Sequence, residues 1–312
     1  MFMVVNKYNG VSAIAYKERT KPKLLRIYEV LSNRMILSSD DHYYHLHLDK
    51  GFDGEYGLDG LTEPLSSHCL VLNDLQLEFR KSSFQVDTLL ICTDKIRLYE
   101  VKNYEGVHTW ADDKLLKSTG VYLENPWVQL QRTKVKLELL LQSLSCQMKV
   151  EAYVVYINPE FTLLEAKGDG NYLLPSQVPL HFRSLQMKET LSFEQRRLAE
   201  RLLQLHNPDY PPHMKPVYCY EDLRKGIGCP ACGTVAEAFH GHFIKCQTCG
   251  ERMNVKKAIK RNIEDFRLLF PDEKLTTNRM LDWCGSGDKD RIYRILRESY
   301  QPKGNAHGRY YI

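Results

Sequence analysis

The sequence predicts an α/β fold with a small appended C-terminal module, and three observations carry that reading. Two short segments, FQVDTLLIC (Phe84 to Cys92) and IRLYEVK (Ile96 to Lys102), are dense in β-branched and aromatic residues and are separated only by Thr93-Asp94-Lys95. A leucine-striped segment opens at Asn125-Pro126 and leads into KVEAYVVYI (Lys149 to Ile157), a nearly continuous apolar run. Strand, strand, helix, strand is an α/β order, and a strand apolar on both sides belongs in a sheet covered on both faces. Near the C-terminus, Cys229 and Cys232, then Cys246 and Cys249, form two C-x-x-C-G knuckles. Four thiolates at that spacing suit Zn²⁺ in a closed, structural site, with disulfides as the competing reading.

The elements follow in chain order. Lys21 to Leu37 carries apolar residues at Leu24, Leu25, Ile27, Val30, Leu31 and Ile36, the period of an amphipathic helix. Ser38 to Lys50 reads as a polar stretch, and a helix is expected around Glu55. Thr93-Asp94 is long enough for a two-residue hairpin loop. Asn125 is an N-cap residue with Pro126 at the first helical position. The helix they open sets Leu130, Leu137, Leu141 and Leu144 on one stripe and Gln129, Arg132, Thr133 and Lys136 on another. Ser192-Phe-Glu-Gln195 has capping-box spacing ahead of Leu198, Leu202 and Leu203. Leu205 to Pro216, rich in Pro and His, reads as a linker.

Composition narrows the function classes. Hydrophobic residues make up 43% of the 312 residues and charged residues 26%, the balance of a globular protein. No apolar run approaches the ~18 residues of a membrane span, so no membrane partner is expected. The N-terminus lacks a small-residue cleavage site, and five cysteines (Cys69, Cys92, Cys146, Cys219, Cys284) lie scattered, as in reduced proteins. A cytoplasmic location is expected. The net charge of +4 is uneven: Glu221 to Ile312 holds 17 Lys and Arg against 12 Asp and Glu, which leaves the rest nearly neutral. A basic C-terminal third suits either a polyanion partner or an ordinary solvated surface.

The hairpin carries the chemistry. Glu100 and Lys102 share one face of their strand. A two-residue loop pairs position 87 with position 100, setting Asp87 beside Glu100. Adjacent carboxylates repel unless a cation or a proton separates them, a condition a Mg²⁺ site exploits. A three-residue loop without a bulge would put them on opposite faces.

Gly54-Glu55, Asn73-Asp74-Leu75, Phe84-Gln85-Val86-Asp87, Glu100-Val101-Lys102-Asn103 with Gly106, and Asn125-Pro126 with Gln129 occur in that order. This series resembles the motifs of the NERD (nuclease-related) domain, a branch of the PD-(D/E)XK nuclease superfamily, over about Lys21 to Pro159. The preceding helix also looks like the N-terminal flank of such proteins from Bacillus-like bacteria. The resemblance implies a restriction-endonuclease-like mixed sheet flanked by helices. It implies that Glu55, Asp87 and Glu100 hold Mg²⁺ or Mn²⁺. Lys102 would orient the attacking water or offset charge on the phosphorane, and Gln129 would support the site.

In the C-terminal third, Val235, Ala238, Phe239, Phe243 and Ile244 supply a short hairpin between the knuckles, while His240 and His242 are not needed as ligands. Lys256, Lys257, Lys260 and Arg261 share a helix with Ile259, Ile263, Phe266 and Leu269. Two further helices, about Thr277 to Trp283 and Lys289 to Tyr300, are joined through Gly285-Ser-Gly287, and the second carries Lys289, Arg291, Arg294 and Arg297. That pattern fits a helix-turn-helix-like nucleic-acid reader and equally a plain packed helix.

The expected division is 1–50 N-terminal helical flank, 51–205 nuclease-like domain, 206–222 linker, 223–252 zinc ribbon and 253–312 basic helical module. Arg132, Lys136, Lys256, Lys257, Lys260, Arg291 and Arg294 are the candidate nucleic-acid contacts. The sequence reading is a metal-dependent nuclease acting on DNA. Its rival is a non-catalytic nucleic-acid-binding or adaptor protein that keeps a nuclease-like core.

Overall fold

The computed structural model describes residues 15–111, 114–166, 171–185, 190–208, 210, 216–236, 241–285, 288–305 and 308–312. Ala238, Phe239, His240, Ser286, Gly287 and much of the expected linker lie outside them. The chain forms two compact units, Met1–Thr20 with Asp49–Pro211, and Lys21–Leu48 with Pro212–Ile312. The 1–50 segment, set apart in the sequence as one flank, is thus divided between them.

Helix α1 is Lys23–Arg34, within the expected amphipathic segment. Helix α2 is Ser39–Thr62 and contributes residues to both units. It takes in the polar stretch that the sequence left outside a helix. Ser38 Oγ accepts a hydrogen bond from the Asp41 backbone N–H at 3.1 Å, satisfying one of the orphan donors at the helix start.

The first unit is mixed α/β. Its strands are β1 (Leu70–Phe79), β2 (Ser82–Ile91), β3 (Ile96–Lys102), β4 (Gly106–Ala111), β5 (Lys114–Lys117) and β6 (Tyr122–Leu123). Helix α3 (Pro126–Ser143) leads to β7 (Val150–Tyr156), β8 (Phe161–Leu164) and β9 (Tyr172–Leu173). Helices α4 (Val178–Ser184) and α5 (Phe193–Leu205) close the unit. The main sheet runs β1-β2-β3-β7-β9, and a smaller one runs β6-β5-β4-β8. The β1/β2 and β2/β3 pairs are antiparallel, whereas β3/β7 and β7/β9 are parallel, with α3 connecting β3 to β7. Leu89, Leu98, Val154, Leu130, Leu137 and Leu202 belong to one apolar cluster, and Leu58, Val71, Leu90, Tyr99, Val155 and Phe182 to another. Burial on both sides explains why β7 reads as a nearly unbroken apolar run.

Local signals act as expected on α3 and α5. Asn125 accepts from the Trp127 backbone N–H with Pro126 in the first turn, and Ser192 and Gln195 complete a reciprocal capping box. Thr133, placed by the sequence on the polar stripe, is instead buried, because the apolar face of α3 is wide enough to include it and Leu140.

In the second unit, β10 (Ile227–Gly228) pairs with β11 (Val235–Ala236), and β12 (Phe243–Lys245) with β13 (Arg252–Asn254). Helices α6 (Val255–Leu269), α7 (Thr277–Trp283) and α8 (Lys289–Ser299) follow, then the short strands β14 (Pro302–Lys303) and β15 (Tyr310–Tyr311). Leu31, Ile259, Phe266, Trp283, Ile292 and Ile295 share one core. Arg34 is buried within this unit. Its guanidinium lies 3.9 Å from the Trp283 ring centroid and donates to the Arg224 and Gly226 carbonyls and to Asn262 Oδ1. Those acceptors and the π face offset the cost of burying the charge.

Candidate active site and metal centre

The β2/β3 ladder pairs Thr88 with Tyr99 and Ile91 with Ile96, the register of a two-residue loop, which sets position 87 opposite position 100. Asp87 Oδ2 accepts from the Val101 backbone N–H at 2.8 Å, so a side chain takes over where the ladder stops. Glu100 and Lys102 point from the end of β3 toward α3. Lys102 Nζ donates to Glu100 Oε1 at 2.8 Å and to Gln129 Oε1 at 3.1 Å. Gln129, on the exposed side of α3, thereby holds the ammonium from one side while Glu100 holds it from the other.

Asp74 faces Asp87 across β1 and β2, between the Asn73–Thr88 and Leu75–Val86 rungs. Its backbone is left-handed, with φ at 53°. Along both strands the core-facing parity reverses at this rung. Leu70, Leu72, Leu75 and Leu77 all join one cluster, as do Phe84, Val86, Leu89 and Ile91. On β1 and β2 strict alternation does not run through this rung; the pairing register does.

Helix α2 comes close because of one glycine. A Cβ on Gly54 would meet Asn103 Cβ at 2.6 Å, and Asn103 Nδ2 donates to the Lys50 carbonyl at 2.7 Å. The residue after that glycine is Glu55. Its carboxylate pairs with Arg19 at 2.5 Å, and Asp59, one turn on, pairs with the same guanidinium at 2.9 Å. Arg19 also donates to the Asp87 carbonyl at 2.8 Å and to Thr88 Oγ1 at 3.1 Å. It arrives on a short segment bridged to β1, where the Lys17 N–H donates to the Val71 carbonyl and the Asn73 N–H to the Lys17 carbonyl.

The electrostatics follow from crowding acids in a half-dry place. Burial and Asp87 push Glu55 up to about 9, with Arg19 pulling the other way. Burial and Asp87 push Glu100 up to about 7 against the pull of Lys102. Burial raises Asp87, partly offset by the Val101 N–H. Burial also works against the Lys102 charge, but Glu100 outweighs it and the pKa rises. Glu55, Asp59, Asp74, Asp87 and Glu100 face Arg19, Lys17 and Lys102, so full ionisation would leave an excess of about two negative charges.

Residues 50–157 match the family model of NERD, the nuclease-related domain.

The matched segment is similar to a nuclease-related domain, and Glu55, Asp87, Glu100, Lys102 and Gln129 all fall inside it. Arg19 does not. Among solved structures, the crystal structure of a protein VC1899 from Vibrio cholerae is similar at 11% identity and a TM-score of 0.25, over 55% of this chain and 37% of that one. The chain spans little more than a third of that protein's length. None of the curated proteins matches.

Not all the acids of the NERD segment converge. Among the described residues, the group of three or more ligand atoms lying within 4.8 Å of one another is that of Cys229, Cys232, Cys246 and Cys249. Glu55, Asp87 and Glu100, expected to share one ion, are not in such a group, and the Glu55 carboxylate is paired with Arg19. Asp87 and Glu100 remain suited to a hard cation through oxygen, as buried neighbours whose charge needs compensation.

The thiolate cluster fits a tetrahedral ion. The Sγ atoms of Cys229 and Cys249 lie 3.6 Å apart and those of Cys232 and Cys246 3.5 Å, near the ~3.7 Å expected for four sulfurs ~2.3 Å from zinc. Each knuckle closes through a left-handed glycine, Gly233 or Gly250, whose N–H donates to the carbonyl of Cys229 or Cys246. His242, expected to be no ligand, is exposed and outside this group.

The expected nucleic-acid contacts are placed as follows. Arg132 is exposed on α3 and 3.7 Å from Glu124, and Lys136 Nζ donates to the Ser83 carbonyl at 3.0 Å. On α6, Lys256 pairs with Glu298 at 2.6 Å, while Lys257 is exposed and Lys260 half-buried. On α8, Arg291 pairs with Asp288 at 3.1 Å, and Arg294 Nε donates to the Asp290 carbonyl one turn back. Among the described residues no helix is long and apolar enough to cross a membrane.

Sequence reasoning missed Arg19 and Asp59 and gave Asp74 no role. Asp59 could have been found as the i+4 neighbour of Glu55 on one helix face. Nothing in the local sequence around Arg19 signals its partners.

Proposed function

We propose that the protein is a metal-dependent nuclease that hydrolyses phosphodiester bonds, with DNA as its substrate. The observation that carries this reading is the buried Asp87–Glu100 pair at the end of a nuclease-related sheet, flanked by Lys102. A Mg²⁺ or Mn²⁺ bound there would polarise the phosphate and make a bound water more acidic than bulk water. Asp87 and Glu100, which accept from the Val101 N–H and from Lys102 Nζ, are the residues that would hold that cation. Lys102, kept cationic by Glu100 and steadied by Gln129, reaches toward a nonbridging oxygen and offsets the charge that develops there. In the C-terminal unit, zinc at the four cysteines keeps the ribbon folded, and Lys256, Lys257, Lys260, Arg291 and Arg294 meet the phosphate backbone. The protein works in the cytoplasm on this reading.

The test incubates the full chain with single-stranded, duplex and branched DNA and with RNA, under Mg²⁺ or Mn²⁺, beside Asp87→Asn. Cleavage by the native chain and loss of it in the variant support the proposal. Equal cleavage by both, or none with any divalent metal, overturns it. One observation favours the rival of a nucleic-acid-binding protein without catalysis: Arg19 already neutralises Glu55. Tight DNA binding without cleavage would decide for that rival.

A further inference from the structure

Arg19 is the least expected group in the site, because it lies ahead of the NERD match and yet reaches into its acids. Every nitrogen of its guanidinium has a partner. Nε donates to Asp59 Oδ2, Nη1 to Glu55 Oε2, and Nη2 to Asp59 Oδ1, the Asp87 carbonyl and Thr88 Oγ1. The Arg19 side chain is 1% exposed, whereas those of Glu55 and Asp59 are 19% and 18% exposed. The cation is therefore sealed beneath two carboxylates that still touch solvent. A divalent ion approaching from that side meets acids whose charge is already matched from behind.

The strap that carries Arg19 is slight. It holds to β1 through the backbone of Lys17, and Lys17 Nζ donates to the carbonyls of Asn73 and Asp74. The two lysine contacts fall on consecutive carbonyls, so the strap is fastened at the rung that Asp74 shares with Asp87.

We propose that Arg19 is a built-in cation that competes with a divalent metal for Glu55, so that the site loads by displacing a guanidinium. The inference rests on the metal-dependent reading above and adds its control. Arg19 is a positioning residue here: it sets where the Glu55 carboxylate points and touches no substrate. With Arg19 in place the protein binds metal weakly through Asp87 and Glu100, and recruitment of Glu55 requires the strap to give way.

The experiment uses the zinc-loaded full chain and reads Mn²⁺ binding by titration calorimetry, with the Mn²⁺-induced change in Tm as a second readout. Arg19→Met is expected to tighten Mn²⁺ binding at least tenfold and to show a larger Mn²⁺-induced rise in Tm than the native chain. Arg19→Met with Glu55→Gln is expected to lose that gain. Arg19→Lys keeps a charge but not the fork that spans Glu55 and Asp59, and is expected to fall between; it serves as the test if Arg19→Met does not fold. Equal Kd in the native chain and the Arg19 variants, or weaker binding in the variants, overturns the proposal and leaves the nuclease reading standing. Mn²⁺ binding by none of them, or binding unchanged by Asp87→Asn, overturns the metal reading itself and this inference with it.

Discussion

Gly54 shows how a residue without a side chain sets the geometry of the acid beside it. Its missing Cβ lets α2 lie against Asn103, whose own Cβ cannot rotate away. Gly54→Ala is expected to lift α2, costing about 1–3 kcal/mol by overpacking, and to lower cleavage activity further than the fall in Tm alone accounts for. Parallel thermal melts and cleavage assays check this; an alanine variant with native activity would show that α2 need not approach so closely. Lys102 tests the other side of the site. Lys102→Met is expected to cut the cleavage rate by at least about a hundredfold, since it removes a cation aimed at developing charge, while Gln129→Ala costs less because Glu100 still holds the ammonium. The placing of Asp87 opposite Glu100 was legible in the sequence because a two-residue loop fixes the register of β2 against β3. Arg19 was not legible, since its partners at Glu55 and Asp59 are brought to it only by tertiary packing.

Elements with strong local chemistry read true. The two-residue hairpin loop, the Asn125 cap, the Ser192 capping box and the cysteine knuckles each depend on a few neighbouring residues, so their spacing was enough. The first half of α2 failed that test. Ser38 to Lys50 has histidines and tyrosines without a helical apolar stripe, and it is helical through its cap and through Tyr28, whose hydroxyl donates to Asp41 at 2.8 Å. The ribbon yields a prediction of its own. The protein is expected to carry one zinc per chain by metal analysis, and Cys246→Ser is expected to abolish it and to speed amide exchange across 227–254. Retention of zinc and of slow exchange in that variant would count against a four-thiolate site. On α6 and α8 the expectation concerns salt. Removing Lys257 and Arg294 together is expected to lower the slope of log K against log salt for DNA by about two, roughly one for each phosphate left unneutralised. A fall in affinity with the slope unchanged would mean that these side chains do not meet phosphate.

At the scale of the molecule, the α/β order was legible, and the shared core of α1 with the C-terminal helices is visible only in the structure. Sequence breaks suggest consecutive modules, but compactness follows packing, and α1 shares its core with helices from the far end of the chain. Stability against acid also belongs here. Burial first, and then Arg97, depress His181 to about 4, where its ring meets Tyr99, Tyr153 and Phe182 and its Nε2 lies 2.9 Å from the Tyr99 hydroxyl. Glu151 pulls weakly the other way. The unfolded chain therefore binds this proton first, and the contribution of His181 to stability falls as pH drops from about 6.5 toward about 4. His181→Gln, which keeps a polar partner for Tyr99, is expected to flatten urea-unfolding stability across that window. An unchanged slope would mean that other groups dominate the acid limb.

The reversal of facing at Asp74 and Asp87 bears on how β1 finds β2. In an ordinary hairpin a slip by two residues keeps every side chain on its proper face, so such errors are tolerated and must be corrected by the turn. Here both strands change parity at the same rung. A slipped pairing would put the two reversals out of step and expose leucines on one strand between them. Asp74 and Asp87, two of the acids that crowd the site, thus sit at the rung that makes misalignment costly, and the register of the sheet is proofread beside the chemistry.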